Sequence, residues 1–244
     1  MALILSIDLA FQKYENFGFC LLKEDAGRVV DIQYLSHHRL GLDGDPEAEP
    51  FADRMLNFCL DAGVSILMLD GSQGWKDPKN GLEDRRVCEK ELNTQAKTGV
   101  FGQVKPANFK SFIIFATEVF RLLHKTGRAS LVTEPGILVP ADRILIIETY
   151  PHTAWRKLGM PPLPSKRCCS REQLARHAEQ LKRLCGLPEV KNPTHDELSA
   201  LVSGLAGVAI AARNEAGYIV AGMPPKVSPQ GHVLEGYIVN PRRG

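Results

Sequence analysis

The stretches LILSIDLA, SILMLDGS and RILIIETYP each carry a short apolar run that stops at one carboxylate: Asp8, Asp70 and Glu148. Runs of this kind form buried strands, and an unpaired acid at such a place is costly, so each acid calls for a cation or a donor. A fourth acid, Asp196, lies in THDELSAL, where the last long apolar stretch begins. Each has an ordinary explanation when taken alone. Asp8 and Asp70 can start turns, Asp70 directly before Gly71. Thr194 and Glu197 match a T-x-x-E capping box, which accounts for Glu197 and favours acids in a first helical turn. Asp196 is one residue earlier, on another side of that turn. Together the four would repel one another unless a cation sat among them. Hard divalent ions, Mg²⁺ or Mn²⁺, take oxygen ligands of this type.

The elements that must position these acids follow from patterning. LILSID, NFGFCLLKE and RVVDIQYLSHH are separated by short polar stretches and predict a three-stranded antiparallel meander. FADRMLNFCLDAG has helical spacing and ends at Gly63, and VSILMLD follows at once, which predicts a crossover to a buried parallel strand. Residues 71 to about 105 are Gly-rich and charged, with LEDRRVCEKELN as their one helix, and are expected to form a substrate-facing insertion. NFKSFIIFATEVFRLLHK carries a continuous apolar stripe and predicts a core helix. After the strand ILIIETY comes a Pro-rich loop, then the amphipathic helix CSREQLARHAEQLKRLCG. The final helix, from THDELSAL onward, is apolar nearly all round, with Gly204 and Gly207 allowing close approach to a neighbour, and HVLEGYIVNP predicts one last strand. This order predicts an α/β fold of RNase H-like type, a mixed sheet of three antiparallel strands followed by parallel strands and flanked by helices. In that arrangement the ends of the first and fourth strands meet at the sheet centre and the last helix points its N-terminus at them. Asp8, Asp70 and Asp196 would converge there, with Glu148 on the next strand.

Composition bounds the rest. The chain has 244 residues, 44% hydrophobic, which suits one large domain spanning 1–244 better than two. A net charge of +2 and a pI near 8.2 are too mild to advertise nucleic-acid binding, so such binding would rest on a local basic patch. The six cysteines show no zinc-finger spacing. No basic leader precedes the first apolar run, and no segment approaches the roughly 20 apolar residues of a membrane span. These features lead to the expectation of a cytoplasmic protein with no membrane partner.

The blocks LSIDLA, LMLDGSQGW, LEDRRVCEKEL, IIETYPHTAWRKLG and HDELSALVSGLAG, which run from residue 4 to about 210, resemble the predicted RNase H-like nucleases grouped as domain of unknown function 429. R-x-C-E-x-E-L and E-x-Y-P are the most specific of these blocks. The resemblance implies that the acidic positions are Asp8, Asp70, Glu148 and Asp196, and that the basic motif falls on Arg86 with Glu89 beside it. There is one departure. The family commonly has a second aspartate three residues after the first on the last helix, and this chain has Ser199 there.

The function expected from these readings is a metal-dependent nuclease, in which two ions roughly 4 Å apart activate a water and stabilise the leaving oxygen of a phosphodiester. Asp8, Asp70, Glu148 and Asp196 would bind the ions. Arg85, Arg86 and Lys76 would contact phosphates and Trp75 would stack on a base. The structural alternatives are a packed loop anchor for Trp75 and a solvated helix face for the arginines. His152 either assists proton transfer or is an ordinary polar residue. DNA and RNA are not distinguished, and a homodimer is compatible with the sequence. Ser199 motivates a second reading, a catalytically inactive module that binds nucleic acid or protein. A phosphotransferase of the actin and sugar-kinase type ranks third, since that architecture needs two copies of the fold and no G-x-x-x-x-G-K-[ST] loop is present.

Overall fold

The computed structural model describes residues 1–243. Strands β1 (Ala2–Asp8), β2 (Gly18–Asp25) and β3 (Arg28–Tyr34) form the antiparallel meander. Helix α1 (Ala48–Ala62) ends at Gly63, whose φ of 73° only glycine adopts without strain, and returns the chain to β4 (Val64–Asp70), parallel to β1. The chain continues through α2 (Val87–Leu92), the small hairpin β5 (Lys97–Thr98) and β6 (Val104–Lys105), α3 (Lys110–Lys125) and β7 (Ala129–Leu131) to β8 (Ile144–Thr149). Three helices follow, α4 (Pro151–Lys157), α5 (Arg171–Cys185) and α6 (His195–Ala211), before the hairpin β9 (Tyr218–Val227) and β10 (Val233–Pro241).

The main sheet has eight strands in the order β3-β2-β1-β4-β8-β10-β9, with β7 also pairing with β8. β7 lies beside the first half of β8, and β10 meets it only near its end, where Ile238 pairs with Glu148. A meander with parallel strands added on the far side of β1 is the RNase H-like arrangement. The central strands are buried on both faces, so alternate residues feed two cores. Ile4, Ile66, Met68, Leu145 and Ile147 face α4, α5 and α6. Leu5, Ile7, Leu67, Leu69, Ile144 and Ile146 face α1 and α3.

Helix α6 comes unusually close to the sheet. A Cβ at Gly204 would lie 2.6 Å from Leu22, and one at Gly207 would lie 2.7 Å from Ile4, which is the close approach expected of these two glycines. The first turn of α6 is set by Gly18, which pairs with Asp8 across the meander. A Cβ there would fall 2.0 Å from the carbonyl oxygen of Asp196. The bare backbone of β2 therefore lets the helix N-terminus descend beside the end of β1.

Sequence patterning misses β9, α4, β7 and the small β5–β6 hairpin. β9 carries Pro224 and Pro225, which argue against a strand, but β9 is an edge strand and needs no donor on its outer side. α4 starts with Pro151 at its first turn, where a missing N–H costs nothing. β7 has only three residues. The segment expected to face substrate is packed at its start and around Arg86 and exposed at several other points. Ser72, Gln73, Trp75, Lys76, Arg86, Glu89 and Thr98 are all buried. Glu235 of β10, fully buried, accepts hydrogen bonds from the backbone N–H of Asp77 and Val87 and from Asn80 Nδ2, fastening this segment to the last hairpin. No helix among the described residues is long and apolar enough to cross a membrane.

Gly18→Ala drives a methyl group into backbone that cannot rotate away. It should cost at least the about 1–3 kcal/mol typical of overpacking, read as a lowered urea midpoint.

Candidate metal centre

The register of three adjacent parallel strands decides which acids meet. Asp8 of β1 pairs with Asp70 of β4, and both follow the parity of Ile4, Ile66 and Met68, so both side chains emerge on the face covered by α6. On β8 the residue opposite Asp70 is Thr149, and Glu148 lies opposite Leu69. Glu148 therefore points to the other face of the sheet, the one shared with Leu69 and Ile146. This corrects the expectation that Glu148 joins the cluster.

Glu148 has its own cation there. Arg86, 1% exposed, donates from Nη1 to Glu148 Oε2 and from Nη2 to Glu148 Oε1, both at 2.7 Å, and from Nε to Glu89 Oε1 at 3.1 Å. Gln73 N–H adds a fourth donor to this group of carboxylates at 2.8 Å from Glu148 Oε2, and Glu89 Oε2 accepts from Thr98 N–H. A guanidinium so enclosed is a structural tie. Arg86 is neither a solvated helix face nor a phosphate contact.

The other expected substrate contacts divide in the same way. Trp75 is buried, bonded through its backbone to Val233 and Glu235, and packed edge-on against Phe101 with ring centres 5.2 Å apart. It is the packed loop anchor. Lys76 is buried, with Nζ donating to the Asp77 carbonyl at 3.2 Å. Arg85 alone keeps a solvent-facing side chain, held 2.8 Å from Asp84.

Asp8 and Asp70 are half-buried at the floor of a cavity of about 210 Å³, which His152, His195, Ser199, Gln95 and Tyr150 also line. Burial raises the pKa of Asp8 well above the ordinary carboxylate value, and the neighbouring Asp70 and Asp196 add to the rise. Burial also raises Asp70, to about 7, and the two carboxyls share a hydrogen bond. Two carboxyls crowded and buried in this way resist being ionised together. The α6 N-terminus, capped by Thr194, lies beside the end of β1 and favours negative charge there.

Asp196 approaches from α6. Its own burial works against ionisation, but the nearby His195, with Nδ1 3.5 Å from Oδ1, and the paired Lys166 outweigh this and hold its pKa below the ordinary value. Lys166 Nζ is paired with Asp196 Oδ2 and lies 3.0 Å from Asn16 Oδ1, while His195 donates from Nε2 to the Pro164 carbonyl, 3.0 Å away. Among the described residues no three His, Cys, Asp or Glu side chains stand ready as a complete ligand set. Asp8 and Asp70 suit a hard divalent ion by donor type and by their crowding, and Asp196 could join them only by releasing Lys166. Ser199 is buried one turn beyond Asp196 and lines the same cavity, so it occupies the place where a second helix acid would act.

His195 and Lys166 were not singled out from the sequence. His195 sits in the THDELSAL block beside Asp196, and that adjacency was the available signal. Lys166 lies in the Pro-rich loop, thirty residues from Asp196, and carries no signal of its own.

No protein-family model and no curated protein matches the chain. Among solved structures it is similar to RuvC of Thermus thermophilus, with 10% identity, a TM-score of 0.38, and coverage of 90% of this chain and 98% of that one. It is similar also to T. thermophilus RuvC in complex with a Holliday junction substrate, at 11% identity and TM-score 0.38, covering 91% and 99%. A trimeric exonuclease from Pyrococcus horikoshii OT3 in complex with poly-dA follows at 8% identity and TM-score 0.20, covering 100% and 90%.

Two outcomes follow from this geometry. Glu148→Gln leaves Arg86 short of a counter-charge and should cost about 3–5 kcal/mol in denaturant unfolding, the loss typical of breaking a buried ion pair. The raised carboxyls set a pH dependence of opposite sign to a normal salt bridge. With folded pKa values above the unfolded ones, the native state holds the extra proton, so metal-free stability falls as pH rises from about 4 toward 7. Melting curves in EDTA should show wild type losing more stability between pH 5 and pH 8 than Asp70→Asn does.

Proposed function

We propose that the protein is a metal-dependent nuclease that hydrolyses phosphodiester bonds at the Asp8–Asp70 pair. The observation that carries this reading is the in-register meeting of two carboxylates, both driven toward protonation by burial, beneath a helix N-terminus. Asp8 and Asp70 would hold Mg²⁺ or Mn²⁺, with Asp196 as a third ligand once Lys166 moves away. A divalent ion bound there would lower the pKa of a bound water and neutralise charge on the scissile phosphate. The protein's own groups have separate tasks. Asp8 and Asp70, at the ends of two adjacent strands, would fix the position of the ion rather than touch the anionic phosphate themselves. His152 lines the same cavity, and burial together with Arg156 lowers its pKa, so at neutral pH it is uncharged and able to accept a proton from the attacking water. Arg85 and Lys166 supply positive charge near the path of a phosphate backbone.

Ser199 and the Lys166–Asp196 pair favour the second reading, a module that binds nucleic acid without cutting it. The two part on a cleavage screen with Mn²⁺ across single strands, duplexes and four-way junctions of DNA and RNA. The nuclease reading expects cleavage of at least one substrate and a fall of at least about a hundredfold in Asp8→Asn and Asp70→Asn, the scale of losing one electrostatic stabiliser. Binding without cleavage by the folded wild type would move the assignment to the inactive module.

A further inference from the structure

A second cavity, of about 360 Å³, opens on the other side of Asp70. Asp70, Gln95 and Tyr150 line both cavities, so the two meet at Asp70. The walls of the second are apolar and in part aromatic: Leu9, Phe11, Phe109, Phe112 and Ile113. Its floor is the ionic tie of Arg86, Glu89 and Glu148. Such a chamber, mostly apolar with a few convergent polar groups, has the makeup of a pocket for a small planar ligand.

We infer that this cavity receives a single unpaired nucleobase of the strand whose phosphate lies at Asp8 and Asp70. The inference rests on the nuclease reading for the identity of that strand. Four features support a base over another apolar guest. The cavity borders the proposed phosphate site directly, which is where a base attached to that phosphate must go. Phe109 and Phe112, both half-buried, sit on the η-turn and first turn that open α3 and offer faces for stacking. Tyr150 Oη accepts from the Gln95 N–H at 3.3 Å, leaving the hydroxyl proton for a base edge, and the Gln95 amide is exposed at the mouth. The floor cannot collapse inward, because Arg86 is held by two carboxylates at once. A duplex cannot present a base this way without unpairing it, so the pocket selects single-stranded or locally opened nucleic acid.

Single-stranded DNA and RNA oligonucleotides carrying 2-aminopurine at successive positions provide the test, with binding followed in EDTA and with Ca²⁺ added. The expected result is strong fluorescence quenching at one or two positions only. An abasic residue at that position should weaken binding about tenfold or more, the scale of losing one stacked base. Phe112→Ala should reduce the quenching, and Ala96→Phe, which plugs the cavity from an exposed loop, should abolish it while the melting temperature shows the protein folded. Tight binding with neither quenching nor any abasic penalty would overturn the pocket and leave the nucleic-acid reading intact. No binding of any strand would overturn both.

Discussion

The side-chain period of two on parallel strands is the constraint from which the rest of this molecule follows. β1, β4 and β8 lie side by side, and their register sets Asp8 against Asp70 and Asp70 against Thr149. Two carboxylates are thereby forced together on the face of α6, and Glu148 is turned to the opposite face. A slip of one residue in β8 would reverse this, bringing Glu148 to the pair and leaving Arg86 without its main partner. The chemistry of the site and the integrity of the core are thus settled by one alignment.

Each face answers its buried charge differently. On the α3 side Arg86 is enclosed by Glu148 and Glu89, and Glu235 gathers backbone donors from the segment around it. These bonds fasten Asp77, Asn80 and Val87 to the last hairpin. On the α6 side Asp8 and Asp70 make no ion pair among the described residues, and Lys166 pairs with Asp196 and bonds Asn16. The two faces thus differ: one carries a closed ion pair, the other a pair of crowded carboxyls. The α6 backbone can stand so near because Gly18, Gly204 and Gly207 carry no side chains.

Much of this was legible in the residues. The meander, the crossover through α1, the stripe of α3, the buried α6 and the acids Asp8, Asp70 and Asp196 at one end of the sheet all follow from apolar spacing and turn signals. The side assumed by Glu148 was not legible, because ILIIET is buried on both faces and shows no alternation from which to take its parity. β9 was hidden by Pro224 and Pro225, which an edge strand tolerates. Trp75, Lys76 and Arg86 carry the residue types of a nucleic-acid surface, yet all three are buried, Trp75 against the β9–β10 hairpin and Arg86 between Glu148 and Glu89, by contacts that no local pattern announces.

Calorimetric titration with Mn²⁺ tests the central claim most directly, because it requires no guess at the substrate. Wild type and Glu148→Gln should bind the ion, and Asp8→Asn and Asp70→Asn should not. Absence of binding by the folded wild type, both alone and with nucleic acid present, would contradict the account. Loss of binding in a folded Glu148→Gln equal to that in Asp70→Asn would contradict the division of the acids between the two faces of the sheet.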